Sequence, residues 1–522
     1  MLLLDIFAFI PILWLLISLG FLKLPSHMAT LTGLMMAAAI AFFAFRMPVA
    51  HLGGAVAEGA VFALFPIIWV IVSALFVYNV TRKSKSMDII KDMLTSLSPD
   101  RRVQGLVLAF AFGGFLESVA GFGTAVAIPA AMMIAIGFDP FQAAVVCLIA
   151  NTVPVAFGVL GVPVETLSQV SGLSIDTLGL FTSLQLFPFA VILPFILIFV
   201  ITGSLSGMNG IFGLTLLSGL AFAGTQTLTV LLIGTELAAV TGSLSALAVL
   251  IIAARIRSRD KSLQIWRFEL DEPFVESAGS SEEKGEHRKP QMIKAWIPYI
   301  LILILIALTR LVPQAQFLQE APFVIEQQFY FGDGGKPLLI PLLTSGGSIL
   351  FLSAIFGGLI QGLSGSDLLS VLGATLQQTR KTIVTVLSIV ALAKVMTYSG
   401  MIGAIAVLIA SSSGGMYPLI APFIGMLGTF ITGSDTSSNV LFGNLQKQTA
   451  LELKLDPEWI TAANASGATA GKMISPQSIS IAASVTSLAD MESKMLRFTL
   501  KYCLGYVLLM GLVVMAYQRI LL

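Results

Sequence analysis

The chain has 522 residues, of which 56% are hydrophobic and only 11% are charged, and its mean hydropathy is +0.93. Because an ordinary soluble domain carries roughly 25% charged residues, this composition indicates a polytopic membrane protein. The formal net charge of +1 gives no electrostatic reason to expect nucleic-acid binding. The two cysteines, Cys147 and Cys503, do not have the spacing of metal ligands.

Three spans are predicted at the start of the chain, at about residues 2–22, 26–46 and 57–80. They precede the polar segment TRKSKSMDIIKDMLTSLSPDRR, residues 81–102, which carries six basic residues and has an amphipathic interior. By the positive-inside rule this connector is cytoplasmic, and the N-terminus is therefore expected outside.

The next apolar stretch, residues 103–137, is interrupted by GGFLESVAGFGTA. Its arms of about 12 to 15 residues are too short to cross a hydrocarbon core of about 30 Å, which predicts a re-entrant hairpin. Residues 139–161 could span the membrane, but Asn151, Thr152 and Pro154 in IANTVPVAFG favour a broken helix. Further spans are predicted at about 178–202, 206–226 and 230–254.

Residues 255–294 form a hydrophilic linker that is rich in charges of both signs and is predicted to be cytoplasmic. The linker divides the chain into a first half, residues 1–254, and a second half, residues 295–522. Later spans are predicted at about 295–312, 338–362 and 382–398, before the uncharged segment SGMIGAIAVLIASSSGG. The sequence as a whole therefore predicts an all-α polytopic membrane protein with about 12 transmembrane helices.

The two halves align with each other at an offset of roughly 300 residues, as in the internal repeats of transporters. ESVAGFGTAV falls on TGSDTSSNV, and Asp139-Pro140 falls near Asp456-Pro457. The basic connector of the first half corresponds to an uncharged one in the second, so the two should lie on opposite sides of the membrane. This pattern predicts two inverted-topology repeats, each with a re-entrant hairpin and a broken helix; a chance alignment of apolar Gly/Ser-rich sequence is the alternative.

Ionisable residues inside apolar segments are functional candidates, because a charge at the bilayer centre costs about 2.5–3.5 kcal/mol on insertion scales. Glu117 and Asp435 lie in the two predicted hairpins and are candidates for carrying a coupled proton. Lys472, in NASGATAGKMISPQS, could neutralise a carboxylate substrate or pair with Asp435; the alternative is a lysine that snorkels from a span end. Glu58 and Glu236 are further candidates of this kind, and the alternative for each is a residue that marks the membrane edge.

Polar and glycine residues of the hairpin tips and broken spans are the candidate substrate-binding residues, because helix starts there aim N–H groups at a common point that suits an anion. The alternative is a small-residue motif for helix packing. The candidates are Ser118, Gly121, Gly123, Thr124, Asn151, Thr152, Ser434, Thr436, Ser437, Ser438, Asn439, Asn464, Lys472, Ser475 and Gln477. No catalytic, metal-binding or cofactor-binding motif accompanies them.

The segments ESVAGFGTAVAIPAAM, CLIANTVPVAFG, FITGSDTSSNVLFGNLQ and GATAGKMISPQSISIA resemble the signature segments of the lactate permease family of bacterial secondary carriers. The resemblance implies symport of a proton with L-lactate or a related 2-hydroxymonocarboxylate, such as D-lactate or glycolate, across the bacterial inner membrane. It implies no enzymatic activity. Asn151 or Asn464 would then bind the substrate's 2-hydroxyl group. One departure from the family pattern is Thr124, which follows Gly123 without the alanine and proline expected there.

Other functions remain open at the level of sequence. A sodium-coupled di- or tricarboxylate transporter would also use Asn, Ser and Thr side chains with exposed carbonyl groups, and an anion channel would use the same polar tips. An intramembrane aspartyl protease is a poor match, because Asp435 has no second membrane aspartate to work with. The expected partners are the carboxylate substrate, protons and the lipid bilayer, and an assembly of several copies of the chain is compatible with the sequence.

Overall fold

The computed structural model describes residues 2–22, 24–121, 123–257, 266, 285–312, 317–318, 320, 322–333, 335 and 337–520. These residues are nearly all helical, which confirms the prediction of an all-α membrane protein. Ten helices within the described residues are long and apolar enough to cross a membrane, or up to 11 with one bent pair. Most of the predicted linker, with Arg259 and Lys261, lies outside the described residues.

The first half contains 13 α-helices within the described residues. They are α1 Leu2–Leu15, α2 Ser26–Phe43, α3 Val49–Phe62, α4 Trp69–Lys83, α5 Ser86–Thr95, α6 Arg101–Gly105, α7 Gly113–Val119, α8 Thr124–Ala135, α9 Pro140–Ala150, α10 Gly158–Ser171, α11 Ile175–Thr202, α12 Phe212–Leu232 and α13 Ala238–Arg257. π-Helical turns at Leu16–Phe21, Ala63–Ile68 and Leu106–Phe112 extend or join these helices, and a 3₁₀ turn at Pro154–Phe157 precedes α10.

The second half contains nine α-helices and a two-stranded antiparallel sheet within the described residues, and its first helix already begins in the predicted linker, at Gly285. They are α14 Gly285–Leu311, β1 Val324–Gln327, β2 Leu338–Pro341, α15 Gly346–Gln361, α16 Gly365–Tyr398, α17 Met401–Ser413, α18 Tyr417–Thr432, α19 Asp435–Glu452, α20 Pro457–Lys472, α21 Pro476–Val485 and α22 Glu492–Ile520. In the sheet, Val324 lies opposite Pro341 and Gln327 opposite Leu338.

Two predicted spans of the second half begin elsewhere than expected, because local capping residues set their starts. The span predicted from residue 338 begins instead as strand β2, and α15 starts after Ser345, whose hydroxyl accepts a hydrogen bond from the Ser348 N–H group at 3.3 Å. The span predicted from residue 382 starts at Gly365, since Ser364 and Asp367 form a capping box with both reciprocal bonds at 3.1 Å.

Both predicted hairpins are present as pairs of helices that pack against each other: α7 with α8, and α18 with α19. The first arm runs without a break from Arg101 to Val119, so it is long enough to span a membrane and longer than predicted. Its extension follows from Asp100, whose carboxylate caps the helix by accepting from the Arg102 N–H group at 3.0 Å. Whether the hairpins re-enter the same side of the membrane stays a prediction.

The order of elements after each hairpin is the same in the two halves. Asp139 caps α9 by accepting from the Gln142 N–H group at 2.9 Å, and Asp456 caps α20 by accepting from the Trp459 N–H group at 2.7 Å. A proline fills the first helical position in both cases. The next helix is broken in each half, after α9 and after α20. This shared order agrees with an internal repeat, while the inverted orientation stays a prediction.

Two breaks in helical backbone, one between α3 and α4 and one at the start of α10, lie close together. Phe65 is extended (φ −131°, ψ 120°) between α3 and α4, as expected for a residue that precedes a proline. Val159, Leu160 and Gly161 all have left-handed conformations, with φ of 46°, 56° and 78°, at the start of α10. Left-handed backbone is disfavoured for Val and Leu, so the surrounding packing must hold this segment in place.

The helices of the second hairpin and the second broken span approach each other closely. Gly467 of α20 lies against the backbone of Pro422 in α18, where a Cβ atom would have no room. Close approach through glycine is a usual way for membrane helices to pack. The packing fixes α18, α19 and α20 as one unit around the second tip.

Site-specific labelling would test the predicted inversion. Cys147 and Cys503 are buried, so replacing both by Ala gives a background without reactive thiols. In this background we expect Asp88→Cys, on the exposed face of α5, to react with an impermeant maleimide only from the cytoplasmic side. Ser412→Cys, exposed near the end of α17, should react only from the outside. Labelling of both cysteines from one side would contradict the inversion.

Candidate functional site

The tip of the second hairpin is a two-residue turn. Gly433 ends α18 in the left-handed region (φ 73°), and a Cβ atom there would collide with the Gln477 side chain. Ser434 then caps α19, because its hydroxyl accepts a hydrogen bond from the Ser437 N–H group at 3.2 Å. Asp435 is therefore the first residue of α19, where the N–H groups of the helix start favour negative charge.

Lys472 is the last residue of α20 and points to the second tip. Its ammonium group donates a hydrogen bond to the Gly433 carbonyl at 2.8 Å, and the residue is only 8% exposed. It is also close enough to attract both Glu117 and Asp435 electrostatically. The lysine thus binds the end of α18 inside the protein and does not snorkel to the membrane surface.

The two candidate acids are both buried beside Lys472. Glu117 is 3% exposed and Asp435 is 2% exposed. One oxygen of Glu117 and both oxygens of Asp435 have no hydrogen-bond partner among the described residues. Asn151 lies beside Glu117, but neither atom of its amide makes a hydrogen bond of good geometry within the described chain. Buried polar groups without protein partners are rare in proteins, which makes these atoms candidates for contact with a proton, water or substrate.

Glu117, Asp435 and Lys472 border a cavity of about 290 Å³. We call its buried residues Glu117, Asp435 and Lys472 the floor, and its exposed residues Pro25, Ser26, Lys381 and Gln477 the mouth. Its volume is at the lower end of the range for small-molecule sites, roughly 300–1,000 Å³. Of the sequence-predicted residues, the structure brings together around the cavity Glu117, Ser434, Asp435, Thr436, Ser437, Lys472 and Gln477.

The other candidate residues do not line the cavity, and most of their side chains are used within the protein. The hydroxyls of Ser118, Thr124 and Thr152 donate to carbonyls of their own helical turns. The Ser438 hydroxyl donates to Gly425, and Ser475 caps α21. Gly121 and Gly123 form the first tip in left-handed conformations, and Phe122 between them lies outside the described residues. Of the described residues of the first hairpin, Glu117 lines the cavity and the tip glycines Gly121 and Gly123 do not.

Asn439 and Asn464 belong to a buried chain of hydrogen bonds. The Tyr417 hydroxyl donates to Gln446 at 2.6 Å, and the Gln446 amide donates to Asn464 at 3.1 Å. The Asn464 amide donates to Asn439 at 2.9 Å, which in turn donates to the Pro163 carbonyl at 2.9 Å. This chain joins α18, α19 and α20 to α10. Its amides are occupied by one another, so these two asparagines support the site without lining it.

One wall of the cavity was not predicted from the sequence. It is the face of α16 formed by Lys381, Thr382, Thr385, Val386, Ile389 and Val390. Ile67 and Ile71, which follow the break at Phe65, and His27 at the start of α2 complete it. The sequence did place Lys381 and Thr385 on one helix face, because they are four residues apart. The sequence does not show which other element that face contacts.

Glu58 forms an ion pair inside the protein, which accounts for its charge without a position at the membrane surface. It is 3% exposed and accepts hydrogen bonds from the Lys394 ammonium group and the Tyr398 hydroxyl, both at 2.7 Å and both to the same oxygen. The ring of Tyr330, from the segment between the two β-strands, stacks on Tyr398 with a centroid distance of 3.7 Å. This cluster joins α3 to α16 one helical turn beyond the cavity wall. Glu236 does not line the cavity.

A cavity with a charged floor, bordered by helix breaks and a hairpin tip in a multi-pass membrane protein, is the arrangement of a membrane transporter. Comparison with known proteins agrees with this class. The family model of the L-lactate permease matches residues 5–521. The L-lactate permease of Streptococcus iniae is 43% identical over 88% of this chain and 93% of its own length. Glycolate permease GlcA of Escherichia coli (strain K12) is 34% identical over 97% of this chain and 94% of its own.

The chain therefore belongs to the L-lactate permease family, a family of membrane transporters and not of enzymes. Among solved structures, the YdaH transporter of Alcanivorax borkumensis aligns over 89% of this chain and 87% of its own, with a TM-score of 0.45 and 15% identity.

The Glu58–Lys394 pair predicts a large effect of removing one partner. Lys394→Met would leave the Glu58 carboxylate buried without its counter-ion, at an expected cost of about 3–5 kcal/mol in unfolding free energy. The measurement is the Tm of the purified protein in detergent. The double variant Glu58→Gln/Lys394→Met should recover most of the loss. Lys91→Met is the control, since its 3.8 Å pair with Asp88 is on the surface. Equal Tm values for the Lys394 and Lys91 variants would contradict the interpretation.

The hydrogen-bond chain predicts that Asn464 contributes to stability. Asn464→Ala leaves the buried side-chain oxygen of Asn439 without a donor and removes one of the bonds of Gln446, and we expect about 1–3 kcal/mol of destabilisation, visible as a lower Tm. Asn444→Ala is the control, because Asn444 is only partly buried and makes one long bond of 3.4 Å to Thr397. An unchanged Tm together with weaker lactate binding would instead assign Asn464 to the substrate.

Proposed function

We propose that the protein is a symporter that couples one proton to the uptake of L-lactate or a related 2-hydroxymonocarboxylate, such as D-lactate or glycolate. The observation that carries the proposal is the floor of the cavity, where two buried carboxyl groups face one ammonium group. The relatives named L-lactate permease and glycolate permease support the substrate class. The acids of the floor supply the groups that couple transport of the substrate to protons.

The substrate carboxylate is proposed to bind at the second tip. Ser434, Thr436 and Ser437 line the cavity at the start of α19, where hydroxyl groups and N–H groups can donate to an anion. Gln477 adds an amide on the other side of the tip. Of the two asparagines considered for the 2-hydroxyl group, Asn464 is used within its hydrogen-bond chain, and Asn151 keeps an unpartnered amide but does not line the cavity. We therefore assign neither asparagine a direct contact with the substrate.

The coupling follows from the charge of the floor. With both acids ionised, Glu117 and Asp435 outweigh Lys472 by one negative charge, which repels an anionic substrate. Two like charges about 6 Å apart at an effective dielectric of about 20 repel by roughly 3 kcal/mol. A proton on either acid removes this repulsion, so proton and substrate favour each other's binding. We assign the proton first to Asp435, because both of its oxygens lack partners within the described chain.

One proton moving with one monocarboxylate carries no net charge. Uptake would then follow the pH gradient and the substrate gradient, without the roughly 2.3 kcal/mol that each translocated charge gains per 100 mV of membrane potential.

The proposed location is the bacterial inner membrane, with the N-terminus outside. The proposed working units are two inverted repeats, one in residues 1–254 and one in residues 295–522, joined by the linker 255–294.

Uptake by proteoliposomes tests the function. With an inwardly directed pH gradient, we expect accumulation of radiolabelled L-lactate, D-lactate and glycolate but not of succinate, in buffers without sodium. A strict requirement for Na⁺ would replace the proton with sodium as the coupling ion. Flux without accumulation or counterflow would identify a channel and overturn the proposal.

Asp435→Asn tests the coupling residue. We expect it to abolish lactate accumulation driven by a pH gradient while retaining lactate counterflow, because exchange needs no net proton movement. Asp456→Asn is the matched control: Asp456 only caps α20, and Asn caps helices as well as Asp does. Normal gradient-driven uptake by the Asp435 variant would transfer the role to Glu117, for which Glu117→Gln is the next test.

A further inference from the structure

The α16 wall of the cavity is charged at the mouth and apolar further inside. Lys381 is exposed at the mouth, Thr382 and Thr385 are partly exposed, and Val386, Ile389 and Val390 are buried. A substrate entering the cavity from the mouth therefore passes a cation before it reaches the apolar part of the wall. The second tip lines the same cavity through Thr436 and Ser437.

Two lysines of α16 differ in how they are neutralised. Lys394 is paired with Glu58 at 2.7 Å, so its charge is cancelled within the protein. The Lys381 side chain makes no hydrogen bond or ion pair in the part of the chain that the structure describes. The charge of Lys381 is thus available to an ion in the cavity, whereas that of Lys394 is not.

The charges around the cavity show that a second cation is needed to balance the charge of a bound substrate. Among the described residues that line it, the acids are Glu117 and Asp435, the lysines are Lys472 and Lys381, and His27 is the remaining titratable group. Once one acid is protonated, Lys472 balances the other, and nothing on the floor remains to balance the substrate. A carboxylate then needs Lys381 as its counter-ion for the loaded cavity to be neutral.

We propose that Lys381 is a substrate-binding residue that attracts small carboxylate anions at the mouth and balances their charge in the loaded cavity. This inference rests on the proposed function, since it assumes that the cargo is a monocarboxylate. Because Lys381 is exposed, its attraction acts through water and should weaken as salt screens it. A purely structural role of Lys381 would show no such dependence.

The experiment measures the KM and Vmax of L-lactate counterflow in proteoliposomes for Lys381 variants. We expect Lys381→Gln to raise KM about tenfold with Vmax within about twofold, as for the loss of one charge-assisted contact. Lys381→Arg should restore KM to within about threefold of the original, and Lys381→Glu should raise it beyond the Gln variant. Arg380→Gln is the matched control, because Arg380 is the exposed neighbour on α16 that does not line the cavity.

Ionic strength provides the second readout. The KM of the unmodified protein should rise between about 50 and 500 mM ionic strength, while that of Lys381→Gln should change little. A KM for Lys381→Gln equal to that of Arg380→Gln, or an Arg variant no better than Gln, would overturn the inference. If the unmodified protein transports lactate normally in the same vesicles, such a result leaves the proposed function intact. Absence of lactate transport by the unmodified protein would refute both.

Discussion

The hydrogen bond from the Lys472 ammonium group to the Gly433 carbonyl is the contact on which the site depends. It joins the end of α20 to the tip of the second hairpin, and it places a positive charge beside Glu117 and Asp435. Without this charge, two buried carboxyl groups would share one cavity, and the free-energy cost of ionising either of them would be high. One lysine therefore fixes the shape of the tip and sets the electrostatic balance of the floor.

The parts of the fold that local chemistry determines could be predicted from the sequence. Asp456 before a proline indicates a capped helix start, and the polar tract around Asp435 indicates a break between two helices, because these effects act within a few residues. The composition also establishes a multi-span membrane protein. The same local reasoning explains the grouping of Ser434, Asp435 and Ser437 at one helix start, which lines the cavity, whereas Lys472 joins them only through the packing of α20.

The remaining features depend on packing between distant segments. The Glu58–Lys394 pair joins residues 336 positions apart, so neither side chain reveals its partner in the sequence. The same holds for the α16 wall and for Asn464, whose amide is used by Gln446 and Asn439. Asparagine, serine and threonine residues in a membrane segment look alike whether they bind substrate or one another, and only the tertiary arrangement separates the two uses.

The length of α16 has a consequence for the lipid environment. Its 34 residues extend about 51 Å at 1.5 Å per residue, which exceeds the hydrocarbon thickness of about 30 Å. The polar residues of its first half, among them Gln377, Gln378 and Arg380, place the excess at the N-terminal end. Lys381 then lies where the apolar part of the helix begins. A change in bilayer thickness, which the acyl-chain length of the lipids sets, is therefore expected to act on this end of α16, next to the mouth of the cavity.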